Sequence, residues 1–182
     1  MENSFFLIKW YGPFDNRKDV EDWEEKHKSV RCSLYLLNGK LKYAKTKESY
    51  YCGMSLRSVH ERLGDKGHHI GEIEDRLNSI YVGCLSNIKS PTDSQIRLAE
   101  KIITASLTDI VGPGRVLNRT NTYFPNKSVF VINEWWKKSG ETVWARQPQN
   151  SPSNMVPDVL VYHIKGKDDF ELFSCQKLKR IY

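Results

Sequence analysis

The chain has 182 residues, enough for one domain with additions and too few for two full-sized ones. A hydrophobic fraction of 39% with 12% aromatics excludes an unfolded polar chain, because that apolar content can offset the entropy of ordering. The formal net charge of +6 and a pI near 9.1 suit a polyanionic partner, although a basic surplus serves solubility equally well.

Residues 5–10 predict a short strand. The apolar run Phe5–Ile8 stops at Lys9 with no cleavage site after it, so it is not read as a secretory leader. Gly12-Pro13 breaks the strand, and residues 15–28 predict an amphipathic helix with Val20 and Trp23 on one side. This first segment, residues 1–31, is expected as a local addition to the main domain. Residues 32–37 predict a strand. Asn38-Gly39 then signals a hairpin turn, because both residues tolerate positive φ. Residues 49–53 predict the returning strand, with 40–44 either extending the hairpin or adding a strand.

Ser55 is the expected N-cap of a helix reaching Leu63, with Leu56, Val59 and Leu63 turned inward. Gly64, Gly67 and Gly71 mark a loop. Residues 79–85 predict a third, central strand. Pro91-Thr92-Asp93 opens a helix over residues 94–106 that carries Ile96, Ala99, Ile103 and Leu107 on one stripe. Gly112-Pro113-Gly114 predicts a loop, residues 128–132 a strand, and Trp135-Trp136 a short helix. The polar, proline-rich stretch 147–157 predicts a loop, and residues 158–164 and 169–174 a closing hairpin.

Cys32, Cys52, Cys84 and Cys175 have neither C-x-x-C spacing nor a histidine at zinc-finger spacing. The first three lie in apolar or aromatic segments and are read as reduced and buried. No apolar stretch approaches the roughly 20 residues of a membrane span. A cytoplasmic protein without a membrane partner is therefore expected.

Laid on these elements, the polar residues form an ordered set. Ser33-Leu34-Tyr35 occupies one strand and Tyr51-Cys52-Gly53 ends the next. Arg62 follows Gly53 by nine residues in a helix, Glu100 lies in the later helix, and Asn118 follows a loop. This set, spanning Cys32 to Asn121, resembles the GIY-YIG nuclease superfamily. Ser33 and Leu34 depart from its first triplet, and Lys66 stands where the family has a histidine one turn after the arginine. His60, His68 and His69 are nearby substitutes.

The resemblance implies an α/β (α+β) fold whose core, residues 32–122, is a small, mostly antiparallel sheet flanked by helices. Residues 123–182 would then form a C-terminal extension. It implies a metal-dependent endonuclease that hydrolyses DNA phosphodiester bonds with Mg²⁺ or Mn²⁺. Tyr35, Tyr51, Arg62, Glu100 and Asn118 would be catalytic, with Asn121 the alternative to Asn118 and Glu100 the metal ligand. A compact member looks like a restriction or phage-defence enzyme acting on double-stranded DNA, with a homodimer among the expected assemblies. The alternatives are a catalytically inactive nucleic-acid-binding module on the same scaffold, and a partner-binding protein whose tyrosines are only core.

Glu100 stands four residues after Ile96 and three before Ile103, so it interrupts an apolar stripe. A carboxylate there is costly unless paired with Lys101 or Arg97, or bound to a cation. Mg²⁺ often takes only one or two carboxylates besides water and phosphate. Arg62 flanks the inner face of its helix, where a guanidinium can fork two phosphate oxygens. The Tyr35 hydroxyl is expected to pass a proton onward, or to act as base if a cation lowers its pKa. Tyr51 is expected to position water or phosphate, with Tyr50 facing the opposite side. Gly53 is expected to let the strand turn and the phosphate approach.

Expected nucleic-acid contacts are Arg57, Lys66, His68, His69, Arg115 and Arg119. Between residues 112 and 146, basic residues including Lys127, Lys137, Lys138 and Arg146 interleave with Tyr123, Phe124, Trp135, Trp136 and Trp144, a mixture suited to backbone contact and base stacking. Lys177, Lys179 and Arg180 form a further basic cluster.

Overall fold

In the computed structural model, which describes residues 3–144, 155–167 and 169–175, the apolar runs are laid side by side as seven strands of one sheet. They are β1 (Ser4–Phe14), β2 (Leu34–Gly39), β3 (Ser49–Met54), β4 (Leu77–Leu85), β5 (Val129–Trp136), β6 (Val159–Ile164) and β7 (Phe170–Cys175). The order across the sheet is β3-β2-β4-β1-β5-β6-β7. Among the described residues there are three α-helices, α1 (Arg17–Lys26), α2 (Val59–Leu63) and α3 (Asp93–Val111). The α+β class is as expected, but the sheet is mixed. Every neighbouring pair is antiparallel except β1 with β5.

Alternation of side chains along the strands divides the core in two. One face presents Trp10, Leu34, Leu36, Cys52 and Tyr81 to α3, which answers with Ile96, Ala99, Ile102, Ile103 and Leu107. The other presents Tyr11, Tyr35, Leu37, Tyr51 and Val82 to α1 and α2, with Val20, Trp23, Val59, Leu63 and Ile70 filling the space. Being covered on both sides, β2 is buried at every residue.

The start of α3 follows its sequence signal. Thr92 and Gln95 form a reciprocal capping box, and the helix runs on to Val111 before Gly112 ends it at φ 85°. Four other local expectations are corrected. Asn38 and Gly39 stay in β2, paired with Tyr50 and Ser49, so the chain reverses beyond them. Trp135 and Trp136 extend β5 instead of forming a helix, because Trp135 is registered against Trp10 of β1 and fully buried. The helix expected from Ser55 begins only at Val59, leaving Leu56 45% exposed. The first strand is not a local addition. It lies in the middle of the sheet between β4 and β5.

Cys32, Cys52 and Cys84 form no disulfide; the first two are buried as expected, whereas Cys84 is only half-buried. Among the described residues no helix is long and apolar enough to cross a membrane.

Candidate functional site

β3 is an edge strand, and side chains from both sheet faces meet around its free edge. A cleft of about 630 Å³ opens there. It is lined by Tyr51, Met54, Ser55, Leu56 and Arg57 from β3 and the turn after it, by Arg62 and Asp65 at the end of α2, by Arg97 and Glu100 of α3, and by Thr120 and Asn121.

Local chemistry holds each wall in place. α2 has five residues and no side-chain bond from its own N-cap, Ser58. Glu24 of α1 supplies the missing acceptor. Its carboxylate accepts from the backbone N–H groups of Val59 at 2.8 Å and His60 at 3.0 Å, and lies 2.7 Å from His60 Nδ1. An anion at exposed helix N–H groups is the favourable arrangement. Ser55, expected as the cap, is buried and instead donates its hydroxyl to the carbonyls of Arg57 and Ser58. The free edge of β3 is covered by the segment after α3. Val116 bridges to Tyr50 in parallel, and Leu117 N donates to Tyr50 O at 2.8 Å.

Asn118 continues that cover. Its amide accepts from Cys52 N at 3.0 Å and donates to Cys52 O at 2.6 Å. Both ends of the side chain are thus spent on backbone, and Asn118, expected to be catalytic, does not line the cleft. Asn121, the alternative, does. It sits at φ 63°, in the left-handed region that asparagine tolerates, and donates to Glu100 Oε2 at 3.3 Å.

Glu100 is 8% exposed and forms no ion pair among the described residues, so the expected bridge to Arg97 or Lys101 is absent. Burial raises its carboxyl pKa, only partly opposed by the charges of Arg97 and Arg62 and by Asn121. Among the described residues, no three His, Cys, Asp or Glu side chains converge to enclose a metal. The cleft fits a hard cation that keeps most of its water and takes one carboxylate, which Glu100 would supply.

Arg62 Nη1 donates to Asp65 Oδ2 at 2.7 Å, and Arg57 pairs with the other oxygen of the same carboxylate. Asp65 thereby gathers two guanidinium groups on one wall, and its own pKa is lowered, mainly by the bond from Arg57. Arg97, one turn before Glu100, is exposed and has no anionic partner among the described residues. Asp65 escaped the sequence reading, and Arg97 entered it only as an ion-pair partner for Glu100, not as a cleft residue. A helical-spacing signal was available for each, since Asp65 is three residues after Arg62 and Arg97 three before Glu100.

The two tyrosines are brought together unequally. Tyr35 pairs with Gly53 across β2 and β3, which puts Tyr51 diagonally beside it on the same face, with ring centroids 5.9 Å apart. A Cβ at Gly53 would overlap Cζ and Oη of Tyr35, so this glycine makes room for the ring and not for a phosphate. Tyr35 has no exposed surface and does not line the cleft. Burial drives its hydroxyl pKa well above the ordinary value and outweighs the opposing charge of Arg62. The condition set for Tyr35 as a base, a pKa lowered by a nearby cation, is not met by Arg62. Tyr51 reaches the cleft, and its pKa is raised by burial, with Tyr35's hydroxyl acting against that shift. Tyr50 faces away as expected, its hydroxyl donating to Glu48 at 3.0 Å.

Behind Tyr35 stands His68, 7% exposed, with Nε2 2.7 Å from Tyr35 Oη. Its Nδ1 accepts from the backbone N–H of Ile70 at 3.0 Å. That bond fixes the tautomer: Nδ1 is unprotonated, so neutral His68 carries its proton on Nε2 and donates it to Tyr35. Burial, aided by the charges of Arg62 and His69, lowers the His68 pKa to about 4, which keeps the ring neutral. Two hydrogen bonds occupy this ring, and little of it reaches the surface. His68 is therefore corrected from a nucleic-acid contact to a group behind the tyrosines.

The other expected contacts divide. Arg57 lines the cleft, and His69 packs on Tyr51 at 4.9 Å while pairing with Glu72 at 2.5 Å. Lys66 and Arg119 are exposed outside the cleft lining. Arg115 is a correction, because its guanidinium donates to Glu48 O at 3.0 Å and covers the Tyr50 ring. Trp135 is fully buried and offers no stacking platform, whereas Trp144 is half-buried, its Nε1 donating to Gly12 O at 3.0 Å and Lys137 lying over its ring. Arg146, Lys177, Lys179 and Arg180 lie outside the described residues.

Comparison of the chain with protein-family models, with curated proteins and with solved structures finds no match.

Proposed function

We propose that the chain is a metal-dependent endonuclease of GIY-YIG type, a cytoplasmic restriction or phage-defence enzyme that hydrolyses phosphodiester bonds of double-stranded DNA. The observation that carries the reading is Glu100, a buried carboxylate without an ion pair among the described residues, in a cleft that also presents Arg57, Arg62 and Arg97. A phosphodiester is an anion, and its transition state carries additional negative charge, which guanidinium groups stabilise. Mg²⁺ or Mn²⁺ held by Glu100 would neutralise the leaving oxygen.

The chain's own groups have distinct parts in this reading. Arg62 holds the non-bridging oxygens of the scissile phosphate. Asn121 keeps the Glu100 carboxylate oriented. Tyr51 is a donor into the cleft, not a base, because the row behind it is polarised outward. His68 Nε2–H donates to Tyr35, and Nδ1 is blocked by Ile70, so this row has no vacant site for a proton arriving from water. Tyr51 consequently orients the attacking water or the phosphate, and the proton leaves to solvent through the cleft mouth.

Plasmid and unmodified phage DNA incubated with Mg²⁺ test the proposal. Wild-type protein is expected to nick or linearise them, with Glu100→Gln and Arg62→Ala each slower by about 10²–10³-fold. Persistent cleavage in both variants would refute the site, and no cleavage of any DNA by wild type would refute the enzyme. The second reading is a DNA-binding module without catalysis. It is favoured by the pairing of both Arg57 and Arg62 with Asp65, which leaves them partly neutralised, and it predicts tight binding that survives EDTA without cleavage.

A further inference from the structure

A second cleft, of about 400 Å³, adjoins the first. It is lined by Glu24, Lys28, Val30, Arg31, Cys32, Leu56, Arg57 and Ser58. Leu56 and Arg57 belong to both clefts, so the two depressions share one ridge. The Arg31 guanidinium sits against that ridge, 3.5 Å from Leu56 O. Lys28 and Arg31 are exposed and have no anionic partner among the described residues. The one carboxylate in this lining, Glu24, is occupied by the N-terminus of α2 and by His60. Its charge is therefore locally compensated, and Lys28 and Arg31 dominate the field in the second cleft. Leu56, 45% exposed on the crest, presents an apolar surface between two basic hollows.

Basic hollows in series, separated by an apolar crest, match a polyanion whose charges repeat along a chain and whose interior is apolar. A single small phosphate needs only one hollow. Resting on the endonuclease reading above, we infer that Lys28 and Arg31 form a flanking phosphate-binding subsite, and that the DNA backbone runs from the Arg62–Glu100 cleft over Leu56 and Arg57 into the second cleft. Neither residue touches the reacting atoms. Their part is to hold the strand in register with the cleft.

The prediction is quantitative, because each duplex phosphate neutralised contributes about 0.9 to the slope of log affinity against log salt. Binding of the full chain to a duplex spanning both clefts is measured by fluorescence anisotropy in EDTA across a salt series. Lys28→Glu/Arg31→Glu is compared with Lys45→Glu/Lys47→Glu, an equal change in net charge in the connection beyond the far end of the β2–β3 pair. The neutral Lys28→Gln/Arg31→Gln double guards against misfolding, which circular dichroism also monitors. Both doubles at 28 and 31 are expected to flatten the salt slope by about 2 and to weaken binding at low salt at least tenfold, while the 45/47 pair changes little. Equal weakening by the 28/31 and 45/47 reversals would overturn the subsite in favour of a general charge effect, as would an unchanged slope at 28/31. In either of those outcomes cleavage by wild type with Mg²⁺ leaves the endonuclease reading standing. If wild type neither binds nor cuts DNA, both fall together.

Discussion

Glu100 sits where an apolar side chain would be favoured by packing, and the cost has a sign that can be tested. Its carboxyl pKa is raised, so the native state holds the proton more readily than the unfolded chain does. The charged form therefore costs stability, and that cost appears as pH rises above the ordinary value of 4.5. Glu100→Gln is expected to raise the melting temperature by a few degrees at pH 7, with the gain vanishing near pH 4, while slowing cleavage by about 10²–10³-fold. Mg²⁺ should stabilise wild type by mass action and leave the variant unmoved. Scanning calorimetry with and without Mg²⁺ measures both effects, and a variant stabilised by Mg²⁺ as much as wild type would displace the metal from Glu100.

His68 gives the opposite linkage. Its pKa falls from 6.5 to about 4 on folding, so between those values the unfolded chain binds the extra proton. Stability should be complete above pH 6.5 and decline as pH falls towards 4, by an amount on the order of 3 kcal/mol. His68→Gln removes that titration and should flatten the stability profile over the same window. The pH profile of kcat/KM should lack an inflection from His68 near neutrality. An inflection near pH 6.5 that disappears in His68→Gln would mean the ring is charged during turnover, against the tautomer fixed by Ile70.

At the scale of elements, α2 shows what was legible and what was not. Val59, Leu63 and Arg62 were readable from helical spacing, and Glu100 from the stripe it interrupts. The start of α2 was misread, because its cap comes from Glu24, 35 residues away from Val59, and no local pattern encodes a contact between two helices. Asn118 was readable as a polar residue after a loop, but its part as a clamp on Cys52 depends on that loop lying along the edge of β3. Gly53 was readable as a necessary glycine, for the wrong reason, since the ring it accommodates comes from the neighbouring strand. Glu24→Gln should cost about 1–2 kcal/mol and lower activity by displacing Arg62, although Glu24 lies outside the reaction cleft. Asn118→Ala should cost about 1–3 kcal/mol by freeing both backbone groups of Cys52, and should leave partial activity. Full activity with an unchanged melting temperature in either variant would remove it from the scaffold of the site.

At the scale of the molecule, the position of β1 decides which piece of chain can stand alone. The ordered set of chemical residues lies between Cys32 and Asn121, which suggests a separable core. The sheet order places β1 against β4, so β4 would lose one of its two neighbours if residues 1–31 were removed. The same truncation would remove Glu24 from α2 and would expose Gly83, whose backbone is covered by the Trp10 ring. Trp10 also stacks on Trp135 at 5.8 Å and donates to Asn133 Oδ1 at 2.8 Å, so it ties both halves of the sheet together. Replacing a buried tryptophan by alanine costs about 3–5 kcal/mol, a large part of the roughly 5–15 kcal/mol that holds a domain of this kind. Trp10→Ala is therefore expected to lower the melting temperature by about 6–20 °C (about 2–4 °C per kcal/mol at this size) and to reduce cleavage in proportion to the unfolded fraction. A fragment of residues 32–122 should show no cooperative unfolding transition by circular dichroism and no nuclease activity. A cooperative, active fragment would mean that β1 merely rests beside β4, and that the sheet's two halves fold independently.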